Sequence, residues 1–232
     1  PQFHPIPEND KWYGKGFTEW TNVGKAKPLF RGHYQLRVPA DLGYYDLRVP
    51  ETRQAQADMA REYGVEAFCY WHYWFGNGRR LLERPFNEVL ESGKPDFPFC
   101  LAWANHSWRG IYNGVKTKES LIDQTYGGLS DYERHFYDVL PAFEDKRYVT
   151  VDGKPFFLIF APAEIPDSRE FIDCWQRLAA RNGLTGIHFV AHTYQPNDID
   201  NFLSMGYDAV NVVRLFEYQR IGISFVQKAV SY

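Results

Sequence analysis

From Pro50 to Tyr207 helical and extended patterns alternate with no low-complexity linker between them, and that alternation restricts the chain to α/β folds built on a parallel sheet. Pro50 suits a first helical position, Ala55, Met59 and Tyr63 recur at helical spacing, and Gly64 ends the pattern. Residues 65–75 then read as a strand. A helix over 85–92 ends at Gly93, and 98–103 is the next strand. Tyr132, Phe136, Val139, Leu140 and Phe143 share a helical face, in a helix that Pro141 should kink or shorten. Residues 156–161 are apolar throughout, as in a parallel strand covered on both faces. Ser168 can cap the following helix, whose stripe is Phe171, Trp175 and Leu178 and whose stop is Gly183. A strand over 187–192, a helix over 198–205 and a strand over 209–213 complete the series.

A doubly wound sheet and a closed (β/α)8 TIM barrel share this rhythm. No glycine-rich phosphate turn follows an early strand, and polar-aromatic clusters recur after several different strands. A barrel collects all its strand ends at one mouth, whereas a doubly wound sheet gathers ligands at a single switch point. The expectation is therefore one α/β domain over residues 1–232, a (β/α)8 barrel. A barrel usually needs about 250 residues. Some six strands are legible, the first a stub near Phe3, so the barrel is expected to be incomplete at both ends.

Composition narrows the partners. The net charge of -3 provides no basic field for nucleic acid or anionic membrane, and no apolar run is long enough to cross a bilayer. Cys69, Cys100 and Cys174 are far apart in sequence and read as buried reduced thiols. Aromatic residues reach 18%, with 7 Trp, 16 Tyr and 18 Phe interleaved with His, Asn and Glu. Such mixtures suit surfaces that stack on flat apolar ligand faces while hydrogen-bonding around them, as sugars require.

Five clusters carry that character. The first spans residues 1–20, read as a long loop, and nominates His4, Glu19 and Trp20. The second is Tyr70-Trp71-His72-Tyr73-Trp74-Phe75. Alternation sets Tyr70, His72 and Trp74 against Trp71, Tyr73 and Phe75, and the polar imidazole assigns the His72 and Trp74 face to the mouth. The third, after the next strand, offers Trp103, Asn105 and His106. The fourth offers His192 and Tyr194, and the fifth runs from Arg214 to Glu217. Asp198-Ile199-Asp200 has the form of a metal-diphosphate site, but its place after Pro196-Asn197 suits a helix cap. Histidine spacing indicates no metal site, there is no Gly-x-Ser-x-Gly elbow, and no cofactor is implied.

Gln2-Phe3-His4-Pro5, Glu8-Asn9-Asp10, the run from Gly16 to Val23, Asp41-Leu42-Gly43-Tyr44-Tyr45-Asp46 and the run from Tyr70 to Phe75 resemble the motifs of WbsX-type proteins. These are often labelled glycosyltransferases of lipopolysaccharide biosynthesis and are related to glycoside hydrolase family 99, endo-acting α-mannosidases on a (β/α)8 barrel. The resemblance covers essentially the whole chain. It implies a bacterial enzyme that cleaves or transfers glycosidic bonds of a polysaccharide. The alternatives are a nucleotide-sugar-dependent glycosyltransferase and a non-catalytic carbohydrate-binding domain. A biosynthetic transferase would be cytoplasmic, a hydrolase periplasmic or secreted.

Two departures follow. His106 stands where many relatives have Glu. The Asn-Glu-Trp-x-Glu-Gly-like segment, whose glutamates are the catalytic pair in family 99, does not occur among these 232 residues. Glycosidic cleavage needs one group to protonate the leaving oxygen and another to assist at the developing cation. The catalytic residues are therefore unassigned, with Glu19 as an auxiliary acid candidate.

Overall fold

A computed structural model of the chain describes residues 3–110 and 120–214. Two short helices, α1 (Pro7–Tyr13) and α2 (Glu19–Lys25), precede α3 (Pro50–Glu62). Strand β1 (Phe68–His72) leads through α4 (Arg84–Ser92) to β2 (Phe99–Trp103). A small hairpin, β3 (Trp108–Arg109) with β4 (Ser120–Ile122), intervenes before α5 (Leu129–Phe143). Then come β5 (Thr150–Val151), β6 (Lys154–Ile159), α6 (Ser168–Arg181), β7 (His188–Thr193), α7 (Ile199–Ser204) and β8 (Ala209–Val212).

The parallel sheet runs β1-β2-β6-β7-β8, with short β5 turning antiparallel onto β6. Spatial order follows chain order, so among the described residues there is no switch point at which a doubly wound sheet would bind its ligand. Registers are continuous. Leu101 pairs with Tyr70 and Phe157, Leu158 with Val190, and Ala191 with Val210.

Alternation along each strand divides the residues between two environments. Phe99, Leu101 and Trp103 of β2, Phe157 and Ile159 of β6, and Phe189 and Ala191 of β7 share the main core with Phe136 and Val139 of α5 and Phe171, Trp175 and Leu178 of α6. Ala102, Leu158 and Val190, of the opposite parity, form a small cluster on the other face. Trp175 is fully buried, and its indole N–H donates to Tyr132 O at 3.0 Å, so its one polar atom is satisfied inside the core.

The order of elements from Pro50 onward matches the sequence reading, and several details differ. Residues 3–49 contain no strand stub among the described residues. Half of the segment read as a loop is instead helical, α2 being fixed by a capping box between Thr18 and Thr21. In α3 the buried positions are Arg53, Ala57 and Ala60, and Tyr63 is exposed. Asp167 rather than Ser168 caps α6, accepting from Glu170 N–H at 2.9 Å, while the buried Ser168 hydroxyl donates to Pro162 O. Pro141 falls in the last turn of α5, where the helix continues only to Phe143. The hairpin of β3 and β4 was not legible because its strands are too short to show a period. Cys100 and Cys174 are buried reduced thiols, but Cys69 is exposed on β1, the end strand of the sheet among the described residues. Of the fifth cluster, residues 215–217 lie outside the described residues.

One core feature is electrostatic. His72 of β1 and His135 of α5 bring their Nε2 atoms to 2.8 Å, both rings buried. His135 also stacks on Trp74 at 4.8 Å and 5°, and meets the Trp103 and Trp175 rings edge-on. Burial holds both imidazoles well below the usual value of 6.5. The His135 value is lowered further by His72, and Arg80 adds to the effect at both. The unfolded chain therefore binds more protons than the native one below that value. Stability from this pair is complete above about pH 6.5 and is lost as the pH falls below it. The urea midpoint is expected to drop between about pH 7.5 and about pH 5.5, and less steeply in His135→Gln, which has one titrating ring fewer. Equal slopes in the two proteins would contradict the assignment.

Candidate functional site

The C-terminal ends of the parallel strands carry two sets of side chains, separated by parity. Behind the sheet lie His72, Trp74 and Trp103. Trp103 is 1% exposed and its indole N–H donates to Trp74 O at 2.9 Å, while Trp74 Nε1 donates to Asp131 at 3.3 Å. The assignment of the His72 and Trp74 face to the mouth is thus corrected. A polar imidazole need not seek solvent when a second imidazole on the covering helix satisfies it.

The open face presents a different group. Phe160, just past β6, is surrounded by rings from the neighbouring strand ends. The Trp71 ring lies 5.3 Å away, edge-on at 82°, and the His106 ring 5.0 Å away. His192 stacks on Phe160 at 5.0 Å and 21°, and Tyr194 completes the group at 6.5 Å. Trp71 is 42% exposed and Tyr194 45%, so a ring from each end of the group is open to solvent. Trp71 and Phe160 were missed in the sequence. Both looked like core residues, and the available signal was that Phe160 has the parity of Leu158 and not of the helix-facing Phe157 and Ile159.

The imidazoles here are neutral donors and acceptors. Burial lowers the values of His106 and His192 below the usual range. The Asn211 amide lies 3.0 Å from His192 Nδ1. With the amide N–H donating, Nδ1 accepts and the ring proton resides on Nε2. That Nε2 and His106 Nδ1 are buried without a hydrogen-bond partner among the described residues. Buried polar atoms of this kind need an explanation, and a ligand hydroxyl is one.

Asn105 is 0% exposed and serves as a clamp. Its amide N–H groups donate to Tyr126 Oη at 3.0 Å and Ala161 O at 2.8 Å, and its Oδ1 accepts from Ala161 N–H at 2.7 Å. It ties the residue before His106 to the residue after Phe160. Its role in this geometry is to hold the ends of β2 and β6 together.

His4, Glu19 and Trp20 form a second group on the N-terminal segment. Both Glu19 carboxylate oxygens accept from Phe3 N–H, at 3.1 and 2.9 Å. The Trp20 indole N–H donates to Tyr45 O at 2.9 Å, with its ring edge-on to Tyr44 and Tyr45. Burial, and then the nearby Arg48 charge, lowers the His4 value; Arg48 itself pairs with Asp46 at 2.6 Å. Phe3 stacks on Trp108 at 5.1 Å, in a cluster with Tyr73, Phe75 and Ala104, which places this segment against residues just beyond β1 and β2.

The Asp198-Ile199-Asp200 motif behaves as a helix entry. The Asp198 carboxylate accepts from the Thr193 hydroxyl at 2.8 Å, and Asp200 lies in the first turn of α7. Among the described residues no cluster of three or more His, Cys, Asp or Glu side chains could hold a metal ion, and no helix is long and apolar enough to cross a membrane. An apolar groove of about 750 Å³ lies between α3 and β1, lined by Met59, Val65 and Phe68 among others, and shares no lining residue with the ring cluster.

The family described as Glycosyltransferase WbsX matches residues 1–229. An uncharacterized protein, WxcX, from two strains of Xanthomonas campestris pv. campestris is 40% identical over 211 residues, covering 90% of this chain. The chain spans 29% of the length of those relatives. Among solved structures, an endo-alpha-mannosidase of glycoside hydrolase family 99 from Bacteroides thetaiotaomicron aligns with a TM-score of 0.51 at 14% identity, over 75% of this chain and 49% of that one. A glycoside hydrolase-like protein aligns at 0.54 and 15% identity, over 88% of this chain and 67% of that one. At such identities the likeness is one of fold: mixed α/β with a parallel sheet.

The Asn105 clamp makes a measurable claim. Asn105→Ala leaves the Ala161 amide and carbonyl unpartnered, at about 1–3 kcal/mol for each buried group left unsatisfied, while the Tyr126 hydroxyl keeps its bond to the residue 105 carbonyl. A loss of about 3 kcal/mol is expected in urea unfolding at unchanged m-value. A loss under about 1 kcal/mol would mean that the clamp is dispensable.

Proposed function

The chain belongs to the glycosyltransferase WbsX family, and from that premise we propose that it forms the ring-lined binding portion of a carbohydrate-active enzyme acting on glycosidic bonds of a polysaccharide. The observation that carries this reading is the Phe160 cluster. Rings and neutral imidazoles from four strand ends meet on one face of a parallel sheet, with Trp71 and Tyr194 exposed at its margins.

The chemistry suits a sugar. Pyranose C–H faces stack on exposed indole and phenol rings, and the surrounding hydroxyls need donors and acceptors that carry no charge. The unpartnered His192 Nε2–H supplies a donor, fixed in that tautomer by Asn211, and His106 Nδ1 supplies a second polar atom. The consecutive strand order supports reading the sheet as part of a (β/α)8 barrel, in which this face is the interior and these ends the binding mouth.

Glu19 is the acid we propose as auxiliary. His4 and Trp20 share its segment, and that segment packs against residues beyond β1 and β2. The carboxylate pair that glycosidic cleavage requires is assigned to the Asn-Glu-Trp-x-Glu-Gly-like segment of the family, which is not part of these 232 residues. His72, Trp74, Trp103 and Asn105 act by holding the strand ends in place, and touch no ligand in this reading.

The test is calorimetric titration with neutral manno-, gluco- and galacto-oligosaccharides. At least one is expected to bind, and Trp71→Ala should weaken it about tenfold, the loss of roughly 1.4 kcal/mol of stacking, in a protein that still unfolds cooperatively in urea. Affinity should hold from about pH 8 through about pH 6.5 and decline only at lower pH, since burial holds the His192 value below the usual one and protonating Nδ1 ends its acceptance from Asn211. Binding indifferent to Trp71→Ala, or no binding at all, would refute the proposal.

A further inference from the structure

We propose that the exposed segment joining α2 to α3 is a binding arm for acidic glycans, so that the substrate class of this enzyme is a carboxylate-bearing polysaccharide. The inference rests on the carbohydrate reading of the ring cluster and adds the sign of the ligand's charge.

Between Trp20 and Ala40 the chain has Lys25, Lys27, Arg31 and Arg37 and no aspartate or glutamate. This concentration of positive charge occurs in a chain whose net charge is -3. All four side chains are exposed, and none is within ion-pair distance of a carboxylate among the described residues. Several arginines elsewhere differ. Arg48, Arg53, Arg80 and Arg147 each pair with an Asp or Glu at 3.0 Å or less.

The same segment exposes apolar groups between its cations. Leu29 is 84% exposed, Phe30 67%, Tyr34 68% and Val38 63%, a density of open apolar side chains that signals an interaction surface. The rings are braced. Phe30 stacks on His33 at 4.6 Å and 11°, the Leu29 N–H donates to His33 Nδ1 at 3.2 Å, and the Arg37 guanidinium lies 5.7 Å from the centre of the Tyr34 ring. The arm is anchored at its root by the Thr18–Thr21 capping box and by Trp20 against Tyr44 and Tyr45.

Charge complementarity selects an anion, and the interleaved rings select one with a flat apolar face. A uronic acid offers both in one residue, with a C–H face for Phe30 or Tyr34 and a carboxylate for the planar fork of Arg31 or Arg37. An anionic lipid surface would favour an amphipathic helix with cations on one side. Here cations and apolar groups alternate along irregular backbone.

The experiment measures affinity at low salt for polygalacturonate and polymannuronate oligosaccharides and for their carboxyl-reduced counterparts, which keep linkage and ring but lose the charge. Phosphatidylglycerol vesicles and a thymidine homo-oligonucleotide serve as rival polyanions. An acidic oligosaccharide is expected to bind at least tenfold more tightly than its reduced form. Arg31→Gln with Arg37→Gln should abolish that preference, while Trp71→Ala should weaken acidic and neutral ligands alike. Equal affinity for acidic and reduced sugars, a preference that survives the double arginine variant, or tighter binding to vesicles or oligonucleotide overturns the arm. Neutral binding that depends on Trp71, found without any acid preference, removes the arm alone. Binding to no oligosaccharide removes the ring-cluster reading with it.

Discussion

The packing of α5 and α6 against one face of the parallel sheet, centred on Trp175, sets the position of every other group. Trp175 touches rings from both helices and from β6 and β7, and its only polar atom is tied to α5. Burial of this size drives folding through the area removed from water and fixes which parity of each strand faces the helices. Once Phe157, Ile159 and Phe189 are committed to that layer, Leu158, Val190 and the residues in step with them must face the other way. The open face is therefore defined by exclusion, and its rings are the ones the core did not take.

This division explains what the sequence could convey. Helix and strand identity came from periodicity and from glycine and proline stops, and the β2, β6, β7 and β8 segments matched to within a residue or two at most ends. Periodicity gives two faces for a strand but no label for either. In the run from Tyr70 to Phe75 the imidazole suggested a ligand face, yet His72 finds its partner in His135 on a helix 63 residues away in sequence. A contact of that range leaves no local mark. The positions of His106, His192 and Tyr194 at strand ends could be read because each lies at or just past the end of an apolar run. Asn105 was legible as important and misread in role, since the amide that could reach a sugar hydroxyl is used up on Ala161 and Tyr126.

The N-terminal segment illustrates a different limit. Its motifs carried the resemblance to WbsX-type proteins, and the family match over residues 1–229 bears that out. Its conformation was not readable in the same way. α1 and α2 have seven residues each, too short for a clear period, and depend on the capping box and on the docking of Phe3 and Trp12 against Trp108. The bidentate acceptance by Glu19 from Phe3 N–H closes this segment on itself. A carboxylate that looked purely functional in the sequence thus also has a local structural task.

The Asn105 bridge has a bearing on how a ligand would be received. By joining the ends of β2 and β6 through two hydrogen bonds, it couples the backbone beneath His106 to that beneath Phe160. Phe160 is in turn wedged among rings from three further positions, which restricts its own rotamer. A surface whose centre is braced in this way is preorganised. Little conformational entropy is left to lose on docking, and more of each contact's energy is retained as affinity.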